Sequence, residues 1–88
     1  MMILTVCAVR DTVADVYNRP YFTQSAGVAV RGFTDEVNRQ SEDNQLYKHP
    51  QDFVLYELGT YNDADATFTL HDAPKHLIKA DQCLPTKH

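Results

Sequence analysis

The run Phe53-Val-Leu-Tyr-Glu-Leu-Gly-Thr-Tyr61, the turn cluster Asn62-Asp63-Ala64-Asp65 and the stretch Ala66-Thr-Phe-Thr-Leu70 constrain this chain more than any other feature. Apolar and β-branched types fill the first run. In the last stretch Ala66, Phe68 and Leu70 alternate with Thr67 and Thr69. A period of two places those three side chains on one face, so the pair reads as an antiparallel hairpin with a half-exposed second strand. Ile3 to Val9 gives another strand signal, apolar on both faces as a central strand is, and Arg10 and Asp11 end it.

One helix is available to cover such a sheet. Ala26, Ala29, Val30, Phe33 and Val37 recur at helical spacing behind Ser25, a good N-cap, while Arg31, Thr34, Asp35 and Asn38 take the other face. Gly27 and Gly32 each cost up to about 1 kcal/mol relative to alanine in a helix interior, so packing of the stripe must hold the helix. The expected helix runs over about residues 26–38, with its stripe against Val6, Leu55 and Leu58.

The connecting segments are less regular. From Thr12 to Gln24 only Val13, Val16 and Tyr17 suggest a helical turn, and Asn18-Arg19-Pro20 breaks it. An irregular excursion carrying Tyr21 and Phe22 is expected. Residues 39–52 are polar without periodicity and read as a long loop closing at His49-Pro50. Pro74 opens a segment in which Leu77, Ile78 and Ala80 read as a last short edge strand, and Pro85 to His88 as a frayed end.

With 88 residues the chain holds one core, so residues 1–88 are expected to form a single domain. The predicted fold is α+β: a small antiparallel sheet of three to five strands with one main helix packed on it. A small OB-like barrel is the competitor, because short strands in a compact chain can close. A sheet edge in so small a domain must be covered or paired, which predicts a homo-oligomer.

Charge narrows the function. Twelve acids against eight bases give a net charge of -4, which excludes a strongly basic nucleic-acid coat protein but not a local basic patch. Residues 41–65 hold six acids and one base, net -5, whereas residues 1–40 are balanced. Cys7 and Cys83 fit no metal or redox spacing and read as reduced thiols in a cytosol-like compartment. Met1 to Val9 lacks a basic leader and is too short to cross a bilayer, so an intracellular protein with no membrane contact is expected.

No Gly-rich phosphate loop, Gly-x-Ser-x-Gly elbow or His-Glu-x-x-His is present, so no enzyme and no cofactor are expected. His49, His71 and His76 with Asp52 and Asp72 match no metal-ligand spacing and read as surface residues beside turns. Asp11 and Asp15 read as solvated or capping residues. The combination with chemical promise is Arg10, Arg19, Tyr21, Phe22 and Arg31. Arginine grips phosphate bidentately, and exposed aromatics stack on unpaired bases. In the competing reading Tyr21 and Phe22 plug the core beneath the helix, and Arg31 pairs with Asp35. In the functional one Arg10 and Arg31 converge beside Tyr21 and Phe22 in a shallow basic groove.

Four stretches carry a family resemblance: Ile3 to Asp11 with Arg19-Pro-Tyr-Phe22, Arg31-Gly-Phe-Thr-Asp-Glu-Val-Asn38, Lys48-His-Pro-Gln-Asp-Phe-Val-Leu-Tyr-Glu-Leu-Gly-Thr-Tyr61, and Pro74 leading to Leu77-Ile78. The chain resembles the small nonstructural protein of gokushoviruses, single-stranded DNA phages of the microvirus group. The resemblance covers Ile3 to about Ala80, with the block Lys48 to Tyr61 the most specific. It implies a non-virion protein of the host bacterial cytoplasm that acts on the phage genome in replication or packaging. It supplies no catalytic residues. Two roles follow as expectations: binding of single-stranded DNA, or a non-enzymatic adaptor contacting phage replication or capsid proteins, whose basic surfaces the acidic segment would suit.

Overall fold

In a computed structural model, which describes residues 2–85, strand β1 (Ile3–Asp11) is the one the rest of the sheet is built around. One of its edges pairs with β4 (Phe53–Asn62), and β4 in turn pairs with β5 (Thr67–Lys79). Its other edge takes two short strands, β2 (Val16–Tyr17) and β3 (Tyr21–Thr23). All pairings are antiparallel, and the order is β2-β1-β4-β5 with β3 also on β1. The expected α+β architecture, one sheet with one main helix, is what forms. The sheet curls like a half-barrel, and no pairing joins β5 to β2 or β3, so it does not close.

The excursion after β1 is more ordered than its sequence indicates. The Asp11 carboxylate accepts from the backbone N–H of Val13 and Ala14 at 3.0 and 3.1 Å, and Asp15 takes a left-handed φ of 58°. This local turn sends Val16 and Tyr17 back along β1. Strands of two and three residues are too short to show a period. The two segments expected after residue 66 are likewise one long strand, β5. Between Glu57 and Gly59 the partner jumps from Lys75 to Leu70, so His71-Asp72-Ala73-Pro74 bows out of register where Pro74 has no N–H to give. Ala80 belongs to a 3-10 turn, Ala80–Cys83, and not to the strand. Of the frayed end expected from Pro85, residues 86–88 lie outside the described residues.

Helix α1 (Ala26–Val37) begins where the Ser25 hydroxyl accepts from the Val28 N–H at 3.1 Å. It buries Ala29, Phe33 and Val37 against Cys7, Phe53, Leu55, Ala80 and Cys83. Of the three sheet partners expected for the stripe, only Leu55 is in this core. Val6 points to the other face, and Leu58 is the extra residue of a β4 bulge opposite Val6 and Cys7. Cys7 and Val9 take their place because β1 presents its odd-numbered residues to the helix. The long loop contains a short helix, α2 (Gln45–Lys48), held by the buried Asn44, whose amide donates to the carbonyls of Glu36 and Arg39 at 2.8 Å each. No helix among the described residues is long and apolar enough to cross a membrane.

Candidate nucleic-acid interface

Strand alternation gives the sheet a second face, away from α1. The even positions of β1 (Leu4, Val6, Ala8 and Arg10) point to it, and the register adds their partners: Tyr17 and Phe22 on one side, Val54, Tyr56, Gly59 and Tyr61 on the other. β5 contributes Phe68, Leu70, His76 and Lys79. Tyr56 and Tyr61 differ in parity yet share this face, because the bulge at Leu58 shifts the phase by one residue.

The rings on this face touch. Tyr61 stands 4.8 Å from Phe68 and 5.2 Å from Phe22 between ring centroids, and Phe22 is 6.2 Å from Phe68. On a flat sheet the strands bearing Phe22 and Phe68 would be about 14 Å apart, three spacings. The sheet therefore curls toward this face and makes it a trough. A second ring group lies further along it, with Tyr56 edge-on to Tyr17 at 5.5 Å and to His76 at 5.8 Å. The floor residues Val6, Ala8 and Gly59 are buried, yet Phe22 and Phe68 remain 52% and 54% exposed and Leu70 63%. Half-exposed rings over a buried floor form an open stacking platform and not a sealed core.

The trough also differs in charge from the rest of the chain. None of its paired strand positions carries a carboxylate, whereas the helix side holds Asp11 and Glu57. Its cations are Arg10 and Lys79 at one end. The Arg10 guanidinium lies 5.9 Å from the Tyr17 ring centre and is bonded to Asp15 from the adjoining turn. That bond, and a further one with Tyr56, hold its pKa above the ordinary arginine value.

The five residues expected to form the site are divided. Arg10 and Phe22 are in the trough. Tyr21, one position earlier, faces the helix side, where it lines an apolar cleft of about 410 Å³ with Val9, Val28, Phe33 and Leu46. Burial pushes its hydroxyl pKa up. Arg31 projects from the exposed side of α1, and Arg19 lies in the exposed linker between β2 and β3. The groove expected between Arg10 and Arg31 does not form, since the sheet itself lies between them.

Nothing in the sequence marks Tyr17, Tyr56, Tyr61 and His76 as members of one surface. Phe68 and Leu70 were legible from their alternation. His71, grouped with His76 by sequence, is bonded instead to Glu57, Nε2 to Oε2 at 2.5 Å. Among the described residues no three His, Cys, Asp or Glu side chains are gathered closely enough to hold a metal ion.

A family model described as Phage ORF5 protein matches residues 4–83. No curated protein and no solved structure matches the chain.

Proposed function

We propose a function from family and site together: this chain belongs to the phage ORF5 protein family, and as a phage accessory protein it binds single-stranded DNA in its aromatic trough. Within that family the blocks Arg19 to Phe22 and Lys48 to Tyr61 support a place among the small nonstructural proteins of gokushoviruses. The observation that carries the reading is a row of half-exposed rings, free of carboxylates at its paired positions, on a protein of net charge -4. An acidic protein that keeps carboxylates off the paired positions of one aromatic face, with Asp15 reaching it only at Arg10, leaves a surface on which a polyanion can rest. Stacking needs open bases, so the ligand is an unpaired strand, and the role is in replication or packaging of the genome.

The test is a titration of labelled oligo-dT at two salt concentrations, with duplex of equal length as comparison. Phosphate contacts by Arg10 and Lys79 alone give a log–log salt slope of about -1.4, at about -0.7 per phosphate on a single strand. Phe68→Ala weakens binding by about five- to 150-fold, the effect of losing one stacked base at about 1–3 kcal/mol. Arg31→Ala, on the other side of the sheet, leaves it unchanged. Absence of binding at low salt overturns the proposal and makes contact with a phage replication or capsid protein the function to test.

A further inference from the structure

The outer edge of β5 is divided into two unlike halves. From residue 71 onward it carries devices that keep edges apart: Asp72, Pro74, Lys75 and the out-of-register bow. Residues Thr67-Phe-Thr-Leu70 carry none. They form a regular strand against β4, no strand among the described residues pairs with their outer side, and Phe68 and Leu70 are among the most exposed large apolar side chains there. A short, regularly paired, charge-free edge with apolar side chains on alternate positions is a template for another strand.

We infer that this half-edge pairs with the same segment of a second copy, antiparallel about a two-fold axis at Thr69. Only registers that pair residues of like parity keep the two troughs on one side. Centring on Thr69 sets Phe68 of each copy opposite the second copy's Leu70, so both exposed apolar side chains gain a cross-strand partner. Centring on Phe68 would leave Leu70 opposite Ala66, which sits in the turn with φ 62°. On the face of the sheet opposite the trough a row of threonines, Thr23, Thr5, Thr60 and Thr69, crosses the strands and continues into the second copy. The two sheets become one of double width, with the rings of both troughs facing the same side. The pairing does not depend on the DNA-binding reading and is measured without nucleic acid.

Light scattering on the full chain at high micromolar concentration should give twice the 10.0 kDa chain mass. Leu70→Lys should halve that mass while its circular dichroism and thermal midpoint stay close to the unmodified protein's, since the side chain is 63% exposed. Thr69→Cys places two thiols directly opposite, at the about 4.5–5.5 Å Cα spacing of an antiparallel pair, within disulfide reach. Mild oxidation should therefore convert Thr69→Cys, and not Thr67→Cys, to a covalent dimer. A mass of one chain for the unmodified protein overturns the inference. So does a dimer that survives Leu70→Lys, or cross-linking of Thr67→Cys as fast as Thr69→Cys.

Discussion

Replacing Gly59 by alanine tests the curl that makes the trough. Gly59 lies on its floor between Val6 and Leu70, with φ at 156°. A Cβ there would stand 2.2 Å from the Thr69 carbonyl oxygen, 2.7 Å from the Leu70 Cα and 3.0 Å from the Thr69 carbonyl carbon. All three atoms are backbone, so no side chain can swing away. Carbon atoms pack at about 3.5–4.0 Å, so β5 must retreat from β4 by about 1 Å. Two or three ladder bonds stretch or break, at about 1 kcal/mol net each. Backbone strain at a φ that L-residues rarely adopt adds about 1–3 kcal/mol. The expected loss is about 3–6 kcal/mol, against a total of about 4–13 kcal/mol for a domain of this length. At about 4–8 °C per kcal/mol, the thermal midpoint falls by at least about 12 °C. Urea melts read by circular dichroism give the free-energy change directly. A loss below about 1 kcal/mol would refute the argument, because it would mean that β4 and β5 are not in backbone contact at this point.

Gly32→Ala should act in the opposite direction: nothing lies within 4 Å of a Cβ at this helical position, and the gain is about 0.5–1 kcal/mol by the same melts. Asn44→Ala should cost about 1–3 kcal/mol, because the carbonyls of Glu36 and Arg39 lose the buried amide that joins α1 to α2. The Cys7 thiol is pushed up from 9.0 to about 11, first by burial and then by the charge of Glu57. Between these values the unfolded chain has released a proton that the folded one retains, so the Cys7 contribution to stability is complete below pH 9.0 and is lost as pH rises toward about 11. Urea midpoints across that range should show the decline, and Cys7→Ser should reduce it, with the raised Tyr21 hydroxyl supplying a remainder of the same sign.

The sequence disclosed the elements whose signal is longer than one period. The helical stripe from Ala26 to Val37 spans three turns, and β1 and β4 are long apolar runs, so all three are readable without coordinates. β2 and β3 are two and three residues long and owe their place to the Asp11 and Asp15 turn. Nothing in Val16-Tyr17 or Tyr21-Phe22-Thr23 announces pairing. The helix partners on the sheet are hidden for a related reason. A strand buried on both sides, such as β1, gives no alternation from which to tell its faces apart, so Val6 and Cys7 look equivalent.

The candidate site was half hidden because its residues are related by register and not by spacing. Arg10 and Phe22 were visible as an arginine at a strand end and an exposed aromatic, but pairing Arg10 with Arg31 required knowing which side of β1 carries the helix. Tyr56 and Tyr61 are five apart, an odd interval that a regular strand sends to opposite faces, and only the extra residue at Leu58 brings them together. Such a bulge bends its strand and increases the local twist, which favours the curl that closes Phe22 onto Phe68 across two intervening strands. The same departure from regular pairing therefore sets both the membership and the concavity of the trough. A glycine follows the bulge because the curl brings β5 backbone to within 2.2 Å of where any larger residue would place its Cβ. Leu58 and Gly59 form one device, which ties the stability of the hairpin to the geometry of the rings. Any variant that straightens β4 at this point must part Phe22 from Phe68 as it does so.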